Sequence, residues 1–152
     1  MIIALAADHG GYELKEYLKT VLTEYKILDL GTDSEVSVDY SDYGIKAGEA
    51  VATGQADLGI IVCGTGIGIS IAANKVRGIR AALCHCAEYA RLSREHNNAN
   101  ILALGGRFLS FEEAEEIVRV WLNTPFAGDR HLKRINKIME YEESNHASHQ
   151  TV

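Results

Sequence analysis

Leu58-Gly59-Ile60-Ile61-Val62-Cys63-Gly64-Thr65-Gly66-Ile67-Gly68-Ile69-Ser70 passes from an unbroken apolar run into a thiol and then into a glycine-rich turn. The run reads as a buried strand ending at Val62, and Ile67 to Lys75 reads as a helix. A helix that starts directly after a strand leaves its first amides unpaired, and here they should point at whatever the sulfur faces. The positive end of the helix also favours a thiolate over a thiol. Taken singly, a buried strand-end cysteine is usually inert and glycines often serve only the turn. Together they describe a nucleophile or base beside an anion site.

Working outward, apolar runs alternate with stretches of helical period. The reading is strand 2–7, helix 11–24, strand 26–30, helix 42–54, strand 57–62, helix 67–75, strand 79–84, helix 86–96, strand 100–104, helix 111–122 and helix 130–143. Short apolar strands joined by helices require right-handed crossovers, which build a parallel sheet covered on both faces. The expected fold is α/β: a three-layer α/β/α sandwich around a five-stranded parallel, Rossmann-like sheet. At 152 residues the chain fits one domain, placed at 1–143, with 144–152 expected as a polar, flexible tail. Ligands in such folds bind beyond the carboxyl ends of the strands, and three suspicious groups fall there. Asp8-His9 follows the first strand, Cys63 to Gly68 the third, and Gly105-Gly106-Arg107 the fifth. The connection from Gly31 to Ser41, carrying Asp39-Tyr40, reads as a cleft wall or a plain surface loop.

Fifteen basic against 21 acidic residues give a net charge of −6, which argues against a general binder of nucleic acid or anionic membrane. A small anion, such as a phosphorylated metabolite, is still accommodated by a local basic patch. Cys63, Cys84 and Cys86 form no disulfide framework, so a reducing cytoplasm is the expected setting. The apolar N-terminal run reads as a strand and not as a signal core, and no segment has the roughly 18 apolar residues of a membrane span.

Several side chains could carry chemistry. Arg130 and Arg134 lie one helical turn apart, so two guanidinium forks could grip one phosphate. The same spacing suits a solvated basic stripe opposite Leu132, Ile135 and Ile138, and Asp129 reads as the N-cap of that helix. His96 closes a helix, where it could serve as a cap or move a proton at a sugar oxygen. Asn97 beside it reads equally as a turn former. Asp8 either caps the first helix or assists proton movement, and both can hold together. Cys84-His85-Cys86 and the terminal His146 and His149 match no metal-ligand spacing, so no metal is expected.

Spacing removes three familiar explanations of the glycine turn. Gly68-Ile69-Ser70 lacks the lysine of a Walker loop. Ile69 stands where a dinucleotide fingerprint needs glycine, and also where a cysteine phosphatase loop needs arginine.

The residues that survive resemble the type B ribose-5-phosphate isomerases and their relatives acting on allose and galactose 6-phosphates. The carriers are Asp8-His9-Gly10-Gly11, Val38-Asp39-Tyr40, Cys63 to Lys75, Gly78-Ile79-Arg80-Ala81, Ser93-Arg94-Glu95-His96-Asn97, Gly106-Arg107 and Arg130 to Arg134. The resemblance implies a cofactor-free aldose–ketose isomerase of the pentose phosphate pathway, interconverting ribose 5-phosphate and ribulose 5-phosphate through an enediolate. It implies Cys63 as the base, His96 as an aid to ring opening, and Thr65 and Asp8 as assistants. It also implies that the backbone of Gly64, Thr65, Gly66, Ile67 and Gly68 holds the oxyanion. Arg107, Arg130 and Arg134 match phosphate-binding positions, and His9, Tyr40 and Asn97 match substrate contacts. One branch of the family replaces the cysteine with a carboxylate a turn later, whereas position 67 here is Ile. The family assembles as homodimers or dimers of dimers with shared sites. A hexose-6-phosphate isomerase and a non-catalytic phosphosugar-binding module are the alternatives.

Overall fold

A computed structural model of the chain describes residues 1–149. Its sheet is built from β1 (Ile2–Ala7), β2 (Lys26–Asp29), β3 (Leu58–Cys63), β4 (Ala81–Leu83) and β5 (Ile101–Gly105), all parallel, in the order β2-β1-β3-β5-β4. The central strands are apolar on both faces: Ile3 to Ala7, Ile60 to Cys63 and Ile101 to Leu104 are all buried. Such near-continuous hydrophobicity is what a sheet covered on both sides demands. The edge strands β2 and β4 are only half-buried or exposed.

The helices form the outer layers. On one face α2 (Tyr40–Ala52) packs with α3 (Ile67–Ala73) over Ala6, Ile61 and Ala103. On the other, α1 (Tyr12–Val21), α4 (Ala87–Asn97) and α5 (Phe111–Asn123) enclose Leu5, Val62, Leu102 and the fully buried Trp121. A capping box fixes the start of α5: Glu113 N–H donates to Ser110 Oγ at 3.1 Å, and Ser110 N–H donates to Glu113 Oε2 at 2.8 Å. A sixth helix, α6 (Arg130–His149), packs against α4.

The expected α/β/α sandwich and its five parallel strands are present, with local differences in extent. Strand β4 is three residues long and not six: ahead of it the Asn100 side chain, and not a strand backbone, accepts from Arg80 N–H at 2.8 Å and donates to Gly78 O at 2.8 Å. Helix α6 runs on through 144–149, where a tail was expected, since no proline or glycine follows Gly128 to stop it. The remaining tail positions, 150–152, lie outside the described residues. Asp129 has a positive φ of 52° and makes no side-chain cap. Instead, the carbonyls of Gly128 and Asp129 accept from the amides of His131 and Leu132.

Candidate active site

The chain leaves β1 to build β2 on one side and returns to build β3 on the other, so the sheet opens a crevice above the β1–β3 boundary. Three turns meet there with almost no side chain between them. A β-carbon at Gly10 would stand 3.0 Å from Gly64 N, and one at Gly106 would stand 2.9 Å from Gly10 O. Gly106 N–H donates to Cys63 O at 2.8 Å and Arg107 N–H donates to Gly64 O at 3.0 Å, which locks the β3 and β5 turns together.

Within this frame Cys63 is buried, 4% exposed, and Gly66 N–H donates to its Sγ at 3.1 Å. That contact requires the left-handed backbone of Gly66, whose φ is 80°. Thr65 is exposed on the turn, and its Oγ1 accepts from Ile67 N–H at 3.1 Å. The sulfur thus takes a backbone donor at the head of a helix. The Arg107 side chain lies across Gly64, with Nη1 2.9 Å from where a β-carbon would be.

Asp8 is 6% exposed, and its Oδ1 accepts from Gly10 N–H at 2.9 Å and Gly11 N–H at 3.1 Å. It therefore fixes the turn that leads into α1, whose N-cap is Gly11 with no side-chain cap, while keeping its carboxylate at the crevice. His9 Nδ1 accepts from Val38 N–H at 3.1 Å, so the neutral ring carries its proton on Nε2. The same bond draws the loop before α2 over the site. Tyr40, the first residue of α2, lays its ring on Gly68. A cleft of roughly 450 Å³ opens beside His9, Gly10, Gly106 and Arg107.

The other predicted residues gather elsewhere. Gly59 N–H donates to Asn100 O at 3.0 Å, so the turn after α4 sits beside the start of β3. Cys63 lies four residues further up the strand, about 13 Å at a rise of about 3.3 Å per residue. His96 and Asn97, in the last turn of α4, thus belong to the opposite end of the sheet from the thiol. The His96 ring stacks on His131 of α6 at 4.3 Å between centroids, with Arg130 and Arg134 exposed on the same first turns of α6. Burial, then His96, Arg130 and Arg134, hold the buried His131 imidazole below its ordinary titration range.

The residues singled out from the sequence therefore fall into two separate groups. The first comprises Asp8, His9, Tyr40, Cys63, Gly64, Thr65, Gly66, Ile67, Gly68 and Arg107; the second comprises His96, Asn97, Arg130 and Arg134. Spacing alone does not reveal this division, although the direction of α4 does: a helix leaving the top of β4 must end at the bottom of the sheet. Sequence reasoning named Val38 only among the carriers of the resemblance, and its contact with His9 is made by a backbone amide that no residue type announces. It missed Glu13 and Glu35 at the cleft rim, where the Glu13 carboxylate raises the Glu35 carboxyl above its ordinary range. Among the described residues no three His, Cys, Asp or Glu side chains converge as a metal site, and no helix is long and apolar enough to cross a membrane.

Known proteins match the chain along nearly its whole length. The ribose-5-phosphate isomerase B of Escherichia coli strain K12 is 44% identical over 143 residues, covering 93% of this chain and 96% of that protein. The solved ribose-5-phosphate isomerase B of Clostridium thermocellum is 52% identical and superposes with a TM-score of 0.94, covering 95% of this chain and 99% of that one. That of Mycoplasma genitalium, solved with bound ribulose 5-phosphate, is 41% identical with a TM-score of 0.86, covering 93% and 96%. The model of the ribose/galactose isomerase family matches residues 3–138. With the glycine turn, the thiol and both arginine-bearing ends in place, the chain belongs to the ribose/galactose isomerase family.

Proposed function

We propose that this protein interconverts D-ribose 5-phosphate and D-ribulose 5-phosphate through an enediolate, in the cytoplasm. The observation that carries the reading is the Cys63 sulfur held 3.1 Å from the Gly66 amide at the mouth of the crevice. In the aldose-to-ketose direction the Cys63 thiolate takes the C2 proton, and the electron pair moves onto the former C1 carbonyl oxygen. The proton of the 2-hydroxyl passes to that oxygen, and the thiol returns its proton to C1. Amides of the Gly64 to Gly68 turn stabilise the charged oxygen more than the neutral substrate, which is how they lower the barrier. Asp8 and Thr65 assist at the sugar hydroxyls, and His9, Tyr40 and Arg107 line the cleft.

His96, Asn97, Arg130 and Arg134 act on the Cys63 half-site of a second copy. His96 opens the furanose ring by moving a proton at the ring oxygen, Asn97 contacts the sugar, and Arg130 with Arg134 hold the phosphate. Their distance from Cys63 in one chain supports this assignment, because a substrate spanning a few ångströms cannot reach both ends of a β-strand. The three unpaired cysteines suit a reducing compartment.

The test is conversion of ribose 5-phosphate by wild type and Cys63→Ala in chelator-treated buffer, with allose and galactose 6-phosphates in parallel. Turnover lost only with the thiol supports the proposal. Preferential turnover of a hexose favours the second reading, which the breadth of the ribose/galactose family motivates. Phosphosugar binding with no turnover of any sugar would instead describe a binding module.

A further inference from the structure

The turn that ends α4 is held far more firmly than a helix end requires. Asn98 adopts a left-handed conformation with φ of 44°, and the amides of Asn98 and Ala99 donate back to Arg94 O and Ser93 O at 3.1 and 3.0 Å. Those two bonds already terminate the helix in the usual way. Two guanidinium groups are nevertheless spent on the carbonyls that follow. Arg80 donates through Nε to Asn97 O at 3.1 Å and through Nη2 to Asn98 O at 2.9 Å, while its Nη1 rests on Met139 Sδ of α6 at 3.4 Å. Arg94 donates through Nη1 to Ala99 O and to the Asn98 side chain, and through Nε to Thr124 O at 3.3 Å. The face of Arg94 lies 5.6 Å from the Trp121 ring.

Among the described residues neither guanidinium forms a salt bridge with a carboxylate, and both are half-buried. Burial draws both below the usual arginine range, against Glu142 at Arg80 and with help from Arg80 at Arg94. Placing two charged groups on neutral carbonyls is an expensive way to end a helix. What it achieves is rigidity on every side: Arg80 joins the start of β4 to the end of α4 and to α6, and Arg94 joins α4 to the end of α5. The side chains fixed by that frame are His96, stacked on His131, and Asn97.

We infer that Arg80 and Arg94 are positioning residues for ring opening, clamping the turn after α4 so that the His96 imidazole is aimed at the furanose oxygen of a substrate bound by a second copy. The inference rests on the ring-opening role proposed above for His96. A planar fork serves this purpose where lysine does not, since one guanidinium reaches two carbonyls at fixed angles. Misplacing an acid–base group by about 1 Å costs about 100-fold in rate.

The experiment follows ribose 5-phosphate conversion with enzyme in excess over sugar, comparing wild type, Arg80→Met, Arg80→Lys, Arg94→Lys and His96→Ala. Wild type consumes all the sugar in one phase whose rate rises with enzyme. A chain that no longer opens the ring consumes quickly only the open-chain fraction, and the remainder reacts at a rate independent of enzyme concentration. The clamp variants are expected to show this two-phase course, with the dominant phase slowed about 100-fold. In each, the NMR signals of His96 should lose the shift that stacking on His131 imposes. The lysine variants keep the charge and the stem, so they carry the test if Arg80→Met does not fold. A single enzyme-dependent phase in the clamp variants, with two phases in His96→Ala, overturns the inference and leaves the role of His96 standing. A single phase in His96→Ala overturns both.

Discussion

The ring of Tyr40 fills the space that a side chain at Gly68 would need: a β-carbon there would stand 2.7 Å from Cε2 and Cζ. Gly68 lies in a helix without a positive φ, so alanine suits its backbone and only the ring must move. Gly68→Ala should therefore leave the thermal midpoint nearly unchanged and raise KM for ribose 5-phosphate roughly 10-fold, the effect of one lost binding contact. Tyr40→Ala should match it. An unchanged KM in both variants would remove Tyr40 from the substrate contacts.

Cys63→Ala should lower kcat at least about 1,000-fold while leaving phosphosugar affinity within a few-fold, as expected for removal of the proton-transferring group. Titration calorimetry with ribulose 5-phosphate measures the affinity. Equal loss of binding and turnover would make the thiol a packing residue.

Cys63→Ala and Arg134→Ala are each expected to be poorly active alone, the second through weakened phosphate binding. Mixed one to one and allowed to exchange subunits, they should regain about a quarter of wild-type activity. Half of the dimers are then hybrids, and each hybrid holds one site free of both changes. No recovery on mixing would place both residues in the site of a single chain.

Most of the fold, and the glycine turns that meet at the crevice, could be read from the chain before any coordinates. The strands at 2–7, 58–63 and 101–105 carry no charged or amide side chain, and only a sheet covered on both faces accepts such strands. The Cys63 turn was legible because glycine and cysteine are chemically distinctive. Lys15 was not: in Tyr12-Glu13-Leu14-Lys15 it reads as a solvated helix residue, yet its side chain is fully buried against Asp29 of β2. That pairing depends on how α1 lies against β2, which local spacing does not encode. The extent of β4 was misread for a similar reason, since the Asn100 side chain meets the backbone ahead of it only in three dimensions.

The buried Lys15 makes Asp29 a sensitive position. Lys15 Nζ contacts Asp29 Oδ1 and Oδ2 at 2.9 and 3.0 Å, and Lys19 joins the same carboxylate. Burial pushes the Asp29 carboxyl up, but hydrogen bonds from Lys15, Lys19 and the Gly31 amide outweigh it and hold it below the usual aspartate range. Asp29→Asn should destabilise the protein by about 3 kcal/mol in urea melts, because a buried ammonium loses its main partner.

His131 predicts a pH dependence of opposite origin. Its folded imidazole is held below the ordinary histidine value, so the unfolded chain binds the extra proton first. Stability should fall as pH drops through about 6.5 and level off below the lowered folded value. His131→Phe, which keeps the ring but not the titration, should flatten that part of the profile in thermal melts from pH 8 to 5. A profile unchanged by the substitution would assign the acid sensitivity to another group.

The chain has a single tryptophan, and Trp121 sits fully buried with its indole Nε1 unpartnered among the described residues and Arg94 over its ring. An indole so placed emits at short wavelength, and its intensity depends on the cation beside it. The molecule thus carries its own optical gauge at the seam between α4 and α5. Any event that shifts Arg94, including the docking of a second copy or of sugar phosphate against His96, becomes visible in the protein's own fluorescence without a label.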